Sequence, residues 1–287
     1  MTMTSPVTAR PAARSVTAFD RLSRALPKLL FIAYLTLFLA YLFLPLIIMS
    51  AATFNTSKFP TVTPWLGTTM GWFQELWNDK AMWKALWLSL GIGLAVVAFA
   101  LPVGTAAALF LTSLDVRARG IFYAVMVSPL LTPGVAIGIA TLILWRQAGI
   151  GGGTFLIVLA QATFITAYVM LMVVARLQRF DRAQEEAALG LGASKWMIFR
   201  RVLLPFLKPA LIAAAFIAFL QSFENYNTTL FVRGTDTPLT VYIATKVRTG
   251  LTPAVNALAL ILIALTIVTA LVMELNRRRK EGGRKEG

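Results

Sequence analysis

Uncharged apolar runs long enough to cross a bilayer place the strongest constraint on the fold of this 287-residue chain. Residues 29–49 carry no charge, and about 20 apolar residues in a helix span the roughly 30 Å of a bilayer's hydrocarbon core. Because backbone polar groups in lipid must pair within their own segment, such runs form helices. We therefore predict an all-α membrane protein with six transmembrane helices. The other five runs lie at about 85–110, 120–144, 154–175, 206–225 and 254–273.

The composition agrees with a multi-pass membrane protein and excludes several kinds of catalyst. The chain is 58% hydrophobic and 14% charged, which leaves no room for a separate soluble domain. It contains neither histidine nor cysteine, so Ser-His triads, histidine or thiolate metal sites and disulfides are excluded. An intramembrane enzyme would need a Ser/Lys or paired-carboxylate centre, and the apolar runs offer neither. The glycine-rich run at 149–153 lacks the Lys-Ser/Thr of a phosphate-binding loop.

The distribution of basic residues predicts the orientation in the membrane. Of the 27 lysines and arginines, 20 lie in the two tails and in the second and fourth connecting segments, and 7 lie in the alternate set. Cytoplasmic segments carry the basic excess, so both termini and the loop at 182–205 are expected in the cytoplasm. The net charge of +15 is thus attributed to membrane topology, with lipid and not nucleic acid as the neighbour.

The chain is expected to divide into a basic N-terminal segment at 1–28, a six-helix transmembrane domain at 29–275 and a basic tail at 276–287. After the first span, a tryptophan-rich loop is expected to place a short helix, Gly71 to Asn78, along the membrane surface. An aromatic binding site for a carbohydrate or an amine is the alternative interpretation of these tryptophans.

The segment from Arg182 to Pro205 is the longest charged interruption between two spans. Residues 184–191 favour a helix, Gly192 favours its end, and Ser194 favours capping of a second helix that ends before Pro205. An amphipathic loop lying on the membrane is the alternative interpretation. A 3.6-residue period places one apolar stripe on the second helix, formed by Trp196, Phe199, Val202 and Leu203.

The residue pattern in this segment is more specific than its periodicity. Glu186-Ala187-Ala188 is followed after three residues by Gly192, and after nine more by Val202-Leu203-Leu204-Pro205. This spacing resembles the EAA signature of the membrane subunits of bacterial binding-protein-dependent ABC importers, where isoleucine stands in place of Val202.

The resemblance implies that the segment carries a coupling helix, which docks into a groove on an ATPase subunit. It further implies two ATPase copies that bind ATP and magnesium, a second homologous permease and an extracytoplasmic solute-binding protein. This chain would then hold no cofactor and would not be an enzyme. The residues implied in ATPase coupling are Glu186, Ala187, Ala188, Gly192, Leu204 and Pro205.

A looser resemblance covers most of the chain from about residue 30. The stretches 55–59, 126–129 and 252–259 are similar to the smaller permeases of spermidine/putrescine importers. This resemblance implies an ATP-driven importer of a polyamine or related cationic amine. A self-contained secondary transporter is the alternative function, although such proteins usually carry more ionisable groups within the membrane.

Glu224, near the end of the fifth span, is the acid deepest in the apolar framework. A carboxylate beside Asn225 and Tyr226 could receive an ammonium group through ionic and cation-π contacts. Pairing with a basic residue of a partner permease, or a place at the water interface, would explain it as well. Polyamine permeases tend to carry a second acid where this chain has Asn225, so a singly charged amine or another solute stays open. Gln161 and Tyr168 in the fourth span could line the same route, or could hydrogen-bond between helices.

Overall fold

A computed structural model describes residues 18–250 and 252–282, and these are almost entirely helical, as the apolar runs predicted. The predicted N-terminal segment and tail fall partly outside these residues, at 1–17 and 283–287. The helix Gly71–Asn78 confirms the predicted short helix. The elements are α1 (Ala18–Ala52), α2 (Gly71–Asn78), α3 (Lys80–Ser113), α4 (Val116–Leu131), α5 (Gly134–Gln147), α6 (Thr154–Leu177), α7 (Ala183–Gly190), α8 (Lys195–Ile198), a π-helical turn (Phe199–Leu203), α9 (Leu204–Phe223), α10 (Asn227–Val232), α11 (Leu239–Thr249) and α12 (Pro253–Gly282).

Within the described residues, four helices are long and apolar enough to cross a membrane. They are Leu26–Ala52 in α1, α3, α6 and the continuous stretch Lys195–Phe223. The pair α4 and α5 passes the same test when taken together, which gives five spans. In α12, a shorter apolar helix covers Pro253–Val268. The structure therefore shows a multi-pass helical protein with four to five spans in its described part.

A sharp corner separates α4 from α5, whose axes are bent by 103°. Proline disfavours the helical conformation of the residue before it, and Thr132 accordingly has extended backbone with φ −89° and ψ 130°. Pro133 also has no N–H group with which to continue the hydrogen bonds of α4. The run at 120–144 is therefore two helices joined at a corner.

The larger compact unit, Gln74–Val255, is built around three long helices, α3, α6 and α9. Many of the side chains at their contacts are small, which lets the helix backbones approach closely, as is usual where helices pack in lipid. The fully buried residues of this core include Val96, Ala100 and Ala108 of α3, Ile165 and Val169 of α6, and Ala214 and Ala218 of α9.

Gly104 marks the tightest contact between α3 and α6. A Cβ at this position would stand 2.7 Å from Val169 Cβ and 2.8 Å from the Thr166 carbonyl oxygen, and the backbone atom cannot rotate away. We expect Gly104→Ala to reduce the stability of the folded chain by about 1–3 kcal/mol, measured by thermal unfolding in detergent. Gly91→Ala is the matched control, because Gly91 lies in the same helix with open space around it. Equal effects of the two substitutions would contradict this packing argument.

In the smaller unit, the loop after α1 is organised by Asn55, which is fully buried. Its Nδ2 donates to the carbonyl oxygens of Thr61 and Pro64, both at 3.0 Å, and its Oδ1 accepts from Leu66 N at 3.0 Å. The indole Nε1 of Trp72 donates to the Asn55 carbonyl oxygen at 2.7 Å. Trp72 therefore stabilises the loop through this hydrogen bond. The tryptophan-rich sequence did not by itself indicate this structural role.

Candidate functional site

Residues 182–205, which the resemblance implies in ATPase coupling and which are called the coupling segment below, have the predicted order of helix, glycine break and capped helix. α7 contains no buried residue, and Asp181 Oδ1 accepts from Ala183 N at 2.9 Å at its start. Gly192 has φ +82°, a left-handed conformation that favours glycine. Ser194 Oγ then accepts from Met197 N at 3.2 Å, which confirms the predicted cap of α8.

The second helix of this segment does not end before Pro205, which corrects that prediction. α8 continues through the π-helical turn into α9, where Leu204 N donates to the Phe199 carbonyl oxygen five residues earlier. Pro205 follows the π-helical turn directly, as the second residue of α9. Of the predicted apolar stripe, Phe199, Val202 and Leu203 are half-buried. Trp196 is 68% exposed, and the buried apolar residue of α8 is Ile198.

The helices on either side of the coupling segment, α6 and α9, contact each other through Arg176 and Phe206. At the end of α6, Arg176 Nε donates to the Phe206 carbonyl oxygen at 3.2 Å, and its guanidinium lies 4.1 Å from the Phe206 ring centroid. Both ends of the segment are thereby held together. Between them Glu186, Ala187 and Gly192 are exposed, and Leu191 is 89% exposed. A rigidly based, exposed surface with apolar and acidic groups is suited to docking another protein.

A cavity of about 370 Å³ lies where the corner between α4 and α5 meets α6, the end of α9 and the start of α10. Close packing of α5 on α10 fixes this arrangement, since a Cβ at Gly138 would stand 2.7 Å from the Thr228 carbonyl oxygen. The cavity brings together four of the five residues that the sequence suggested for a solute pathway: Tyr168, Glu224, Asn225 and Tyr226.

Glu224 follows the last residue of α9, and its side chain is exposed. It is the one charged residue among those that line the cavity. In the described part of the chain, no basic group forms a salt bridge with its carboxylate. The carboxylate is therefore available to a cation that enters the cavity.

Gln161, the fifth suggested residue, is absent from the residues that line this cavity and is 1% exposed. Its Nε2 donates to Thr229 Oγ1 at 2.8 Å, and its Oε1 accepts from Ser222 Oγ. Thr229 Oγ1 in turn donates to Asn225 Oδ1 at 3.2 Å. The structure thus places Gln161 in a buried network that positions Asn225, consistent with hydrogen bonding between helices rather than a lining role.

Sequence reasoning missed Thr228, which also lines the cavity. Its side chain is fully buried, and its Oγ1 has no hydrogen-bond partner among the described residues. Sequence reasoning also missed that the corner at Thr132 brings the first residue of α5 to the cavity wall. The pair Pro133-Gly134 was the available signal, since proline stops one helix and can precede the next.

Asp236 and Asp79 accept hydrogen bonds at the starts of two long helices. Asp236 Oδ2 accepts from Thr154 N at 2.7 Å and from Thr154 Oγ1 at 2.6 Å, so it caps α6. Asp79 caps α3, accepts a hydrogen bond from the Tyr242 hydroxyl and lies 3.7 Å from Lys246 Nζ.

Burial and the hydrogen bond to Asp79 raise the pKa of Tyr242. Burial opposes the charged form of Asp79, but its hydrogen bonds and Lys246 outweigh burial and lower the pKa of this carboxyl.

Comparisons with known proteins identify the family. Residues 100–282 match the model of the binding-protein-dependent transport system inner membrane component. The chain is 32% identical to the spermidine/putrescine transport system permease protein PotC of Escherichia coli K12, over 87% of this chain and 94% of that protein. It is 37% identical to the putrescine transport system permease protein PotI of the same strain, over 83% and 87% of the two chains.

A solved structure supports the fold. A chain of a bacterial ABC transporter that imports the acidic polysaccharide alginate superposes with a TM-score of 0.67 at 17% identity, over 91% of this chain and 99% of that chain. Together with the family match over residues 100–282, these relatives settle the class. The chain belongs to the binding-protein-dependent transport system inner membrane components and is a permease subunit of an ABC importer.

Proposed function

We propose that this permease translocates a small cationic amine of the polyamine class and that Glu224 receives the ammonium group. The unpaired carboxylate of Glu224 in the cavity carries this proposal. α9 ends beside it, and the partial negative charge at a helix C-terminus also favours cations. The relatives PotC and PotI, whose names specify spermidine and putrescine transport, support the same class of cargo.

The proposed topology has six spans and places both termini and the coupling segment in the cytoplasm. α4 and α5 form one broken span, and α12 forms the sixth. The distribution of 20 and 7 basic residues supports this orientation. The transmembrane domain extends over residues 29–275, with basic segments at 1–28 and 276–287 on its cytoplasmic side, in a bacterial inner membrane.

The coupling segment docks on an ATPase through Glu186, Ala187, Ala188 and the turn at Gly192, while Leu204 and Pro205 join it to α9. Two ATPase copies hold ATP and magnesium, so this chain needs no cofactor and catalyses no reaction. A second homologous permease and an extracytoplasmic binding protein complete the importer. A solved alginate transporter in complex with its periplasmic protein and the MetNI methionine transporter, both similar to this chain in fold, support these partners.

Cysteine labelling tests this topology and docking, because the natural chain has no cysteine of its own. In the assembled importer, we expect Ala187→Cys to react with a membrane-impermeant maleimide only in inside-out vesicles. The same cysteine should form a cross-link to the ATPase with a short bifunctional reagent. Thr249→Cys, at an exposed residue that ends α11, is the control and should react only from the opposite side. Labelling of both positions from the same side would contradict the proposed topology.

A further inference from the structure

Basic side chains gather where α11 packs along the start of α3. Leu239 N donates to Ser89 Oγ at 2.8 Å, and seven residues further along α11 the Lys246 Nζ lies 3.7 Å from Asp79 Oδ2. The last turn of α11 therefore lies beside the first residues of α3. Four basic residues belong to these turns and are called the basic patch below: Lys80, Lys84, Lys246 and Arg248.

Most of the positive charge of the basic patch is unpaired. Lys246 forms a salt bridge with Asp79, and the other three members have no acidic partner in the part of the chain that the structure describes. These three side chains are exposed. One further acid, Glu75 of α2, acts electrostatically on Tyr242 and therefore lies nearby. Four basic and two acidic side chains leave the patch with a net positive charge.

The side of the membrane does not account for this charge. Under the proposed topology, α3 begins and α11 ends outside the cytoplasm, where connecting segments carry few lysines and arginines. Of the 27 basic residues of the chain, 7 belong to this side, and four of these 7 form the basic patch. The rule for membrane orientation would disfavour such a cluster, so its charge has another use.

α11 also connects the basic patch to the cargo cavity. Thr240 Oγ1 donates to the Asn225 carbonyl oxygen at 3.2 Å, and Asn225 lines the cavity. Because like charges repel, the patch is unsuited to collecting a free cationic amine from solution. A protein that encloses an ammonium group needs carboxylates in its cleft. Carboxylates at the rim of that cleft would be attracted to the patch.

Resting on the proposed transport of a cationic amine, we infer that the basic patch is the docking surface for an acidic rim of the importer's extracytoplasmic binding protein. Docking would place the opened cleft beside α11 and therefore near the cavity. The carboxylates of the rim would also neutralise the patch, which removes its repulsion of the cargo as the cargo passes toward Glu224.

Removing the three exposed charges tests this surface. The triple variant Lys80→Gln, Lys84→Gln and Arg248→Gln keeps the pair of Lys246 with Asp79 and is assembled with its partner permease and ATPase in lipid nanodiscs. Binding of the importer's own binding protein is measured by surface plasmon resonance at about 0.01 M and about 0.3 M salt. We expect the dissociation constant to rise about tenfold at the lower salt and less than about twofold at the higher salt. Arg146→Gln, at an exposed residue near the end of α5 on the same side, is the control and should leave binding unchanged.

Uptake separates docking from recognition of the cargo. In proteoliposomes, the triple variant should need about tenfold more binding protein for half-maximal uptake of putrescine and should reach the same maximal rate. Glu224→Gln should instead reduce uptake at every concentration of binding protein.

Three results would count against these inferences in different ways. An unchanged dissociation constant for the triple variant at low salt would overturn the docking surface. A variant that loses only the importer's preference for phosphatidylglycerol over phosphatidylcholine nanodiscs would assign the patch to lipid headgroups and overturn the docking surface as well. Salt-dependent binding of the binding protein without any uptake of putrescine by the unmodified importer would overturn the proposed cargo and leave the docking surface in place.

Discussion

Replacing Gly192 with valine is expected to reduce cargo uptake by about 10- to 100-fold while the spans remain folded. The backbone at Gly192 has φ +82°, which costs an ordinary side chain roughly 1–2 kcal/mol and a β-branched one more. Since each 1.4 kcal/mol corresponds to about tenfold in a population, the native turn between α7 and α8 loses about tenfold or more in population relative to other conformations. The measurement is uptake into proteoliposomes that contain the assembled importer, together with its ATPase rate.

Gly192→Asn separates backbone strain from side-chain volume at this turn. Apart from the two neighbouring residues in sequence, no atom of the described residues lies within 4 Å of a Cβ at this position, so a side chain of either kind has room in the isolated chain. Asparagine tolerates the left-handed conformation better than other residues with a side chain, and it should retain much more transport than valine. Equal losses for the two variants would instead indicate a steric contact with the docked ATPase, and full transport by the valine variant would contradict the coupling role.

Glu224→Gln is expected to reduce uptake of a cationic amine by about 10- to 100-fold. Glutamine preserves the shape of the side chain but removes the charge, and hydrogen bonds to charged groups contribute about 1.5–3 kcal/mol. ATPase assembly should be unchanged, because Glu224 lies at the end of α9 away from the exposed surface of α7. The measurement is the concentration dependence of uptake, paired with co-purification of the ATPase.

Glu75→Gln is the matched control for this substitution. Glu75 is an exposed acid on α2 and does not line the cavity, so its removal should leave uptake unchanged. Unaltered uptake in the Glu224→Gln importer would remove Glu224 from the cargo site. Equal losses in both variants would indicate a general effect of negative charge on the approach of a cation.

The sequence predicted the structure correctly where that structure depends on residues close together in the chain. The bounds of α2, the positive φ of Gly192 and the cap by Ser194 all follow from residues within a few positions. The apolar runs likewise predicted the long helices, because span length is set by the thickness of the bilayer.

Other features depend on neighbours that are distant in sequence. Gln161 is polar within an apolar run, and that pattern fits a pathway residue and a structural residue equally well. Only its contacts with Ser222 and Thr229, 61 and 68 residues away, assign it to the packing. The buried hydroxyl of Thr228 was likewise hidden, since a threonine in a polar stretch gives no sign that its partner is missing.

The π-helical turn between α8 and α9 puts the two helices out of phase. A turn of this kind holds about one more residue than an α-helical turn, and each residue of an α-helix rotates the side-chain direction by roughly 100°. The direction in which Trp196 leaves the helix axis therefore differs by about a quarter of a circle from the direction it would have if α9 continued back to residue 196 without the π turn. Any rewinding of this turn would rotate α8 and the exposed residues before it about the helix axis, without translating α9 along that axis.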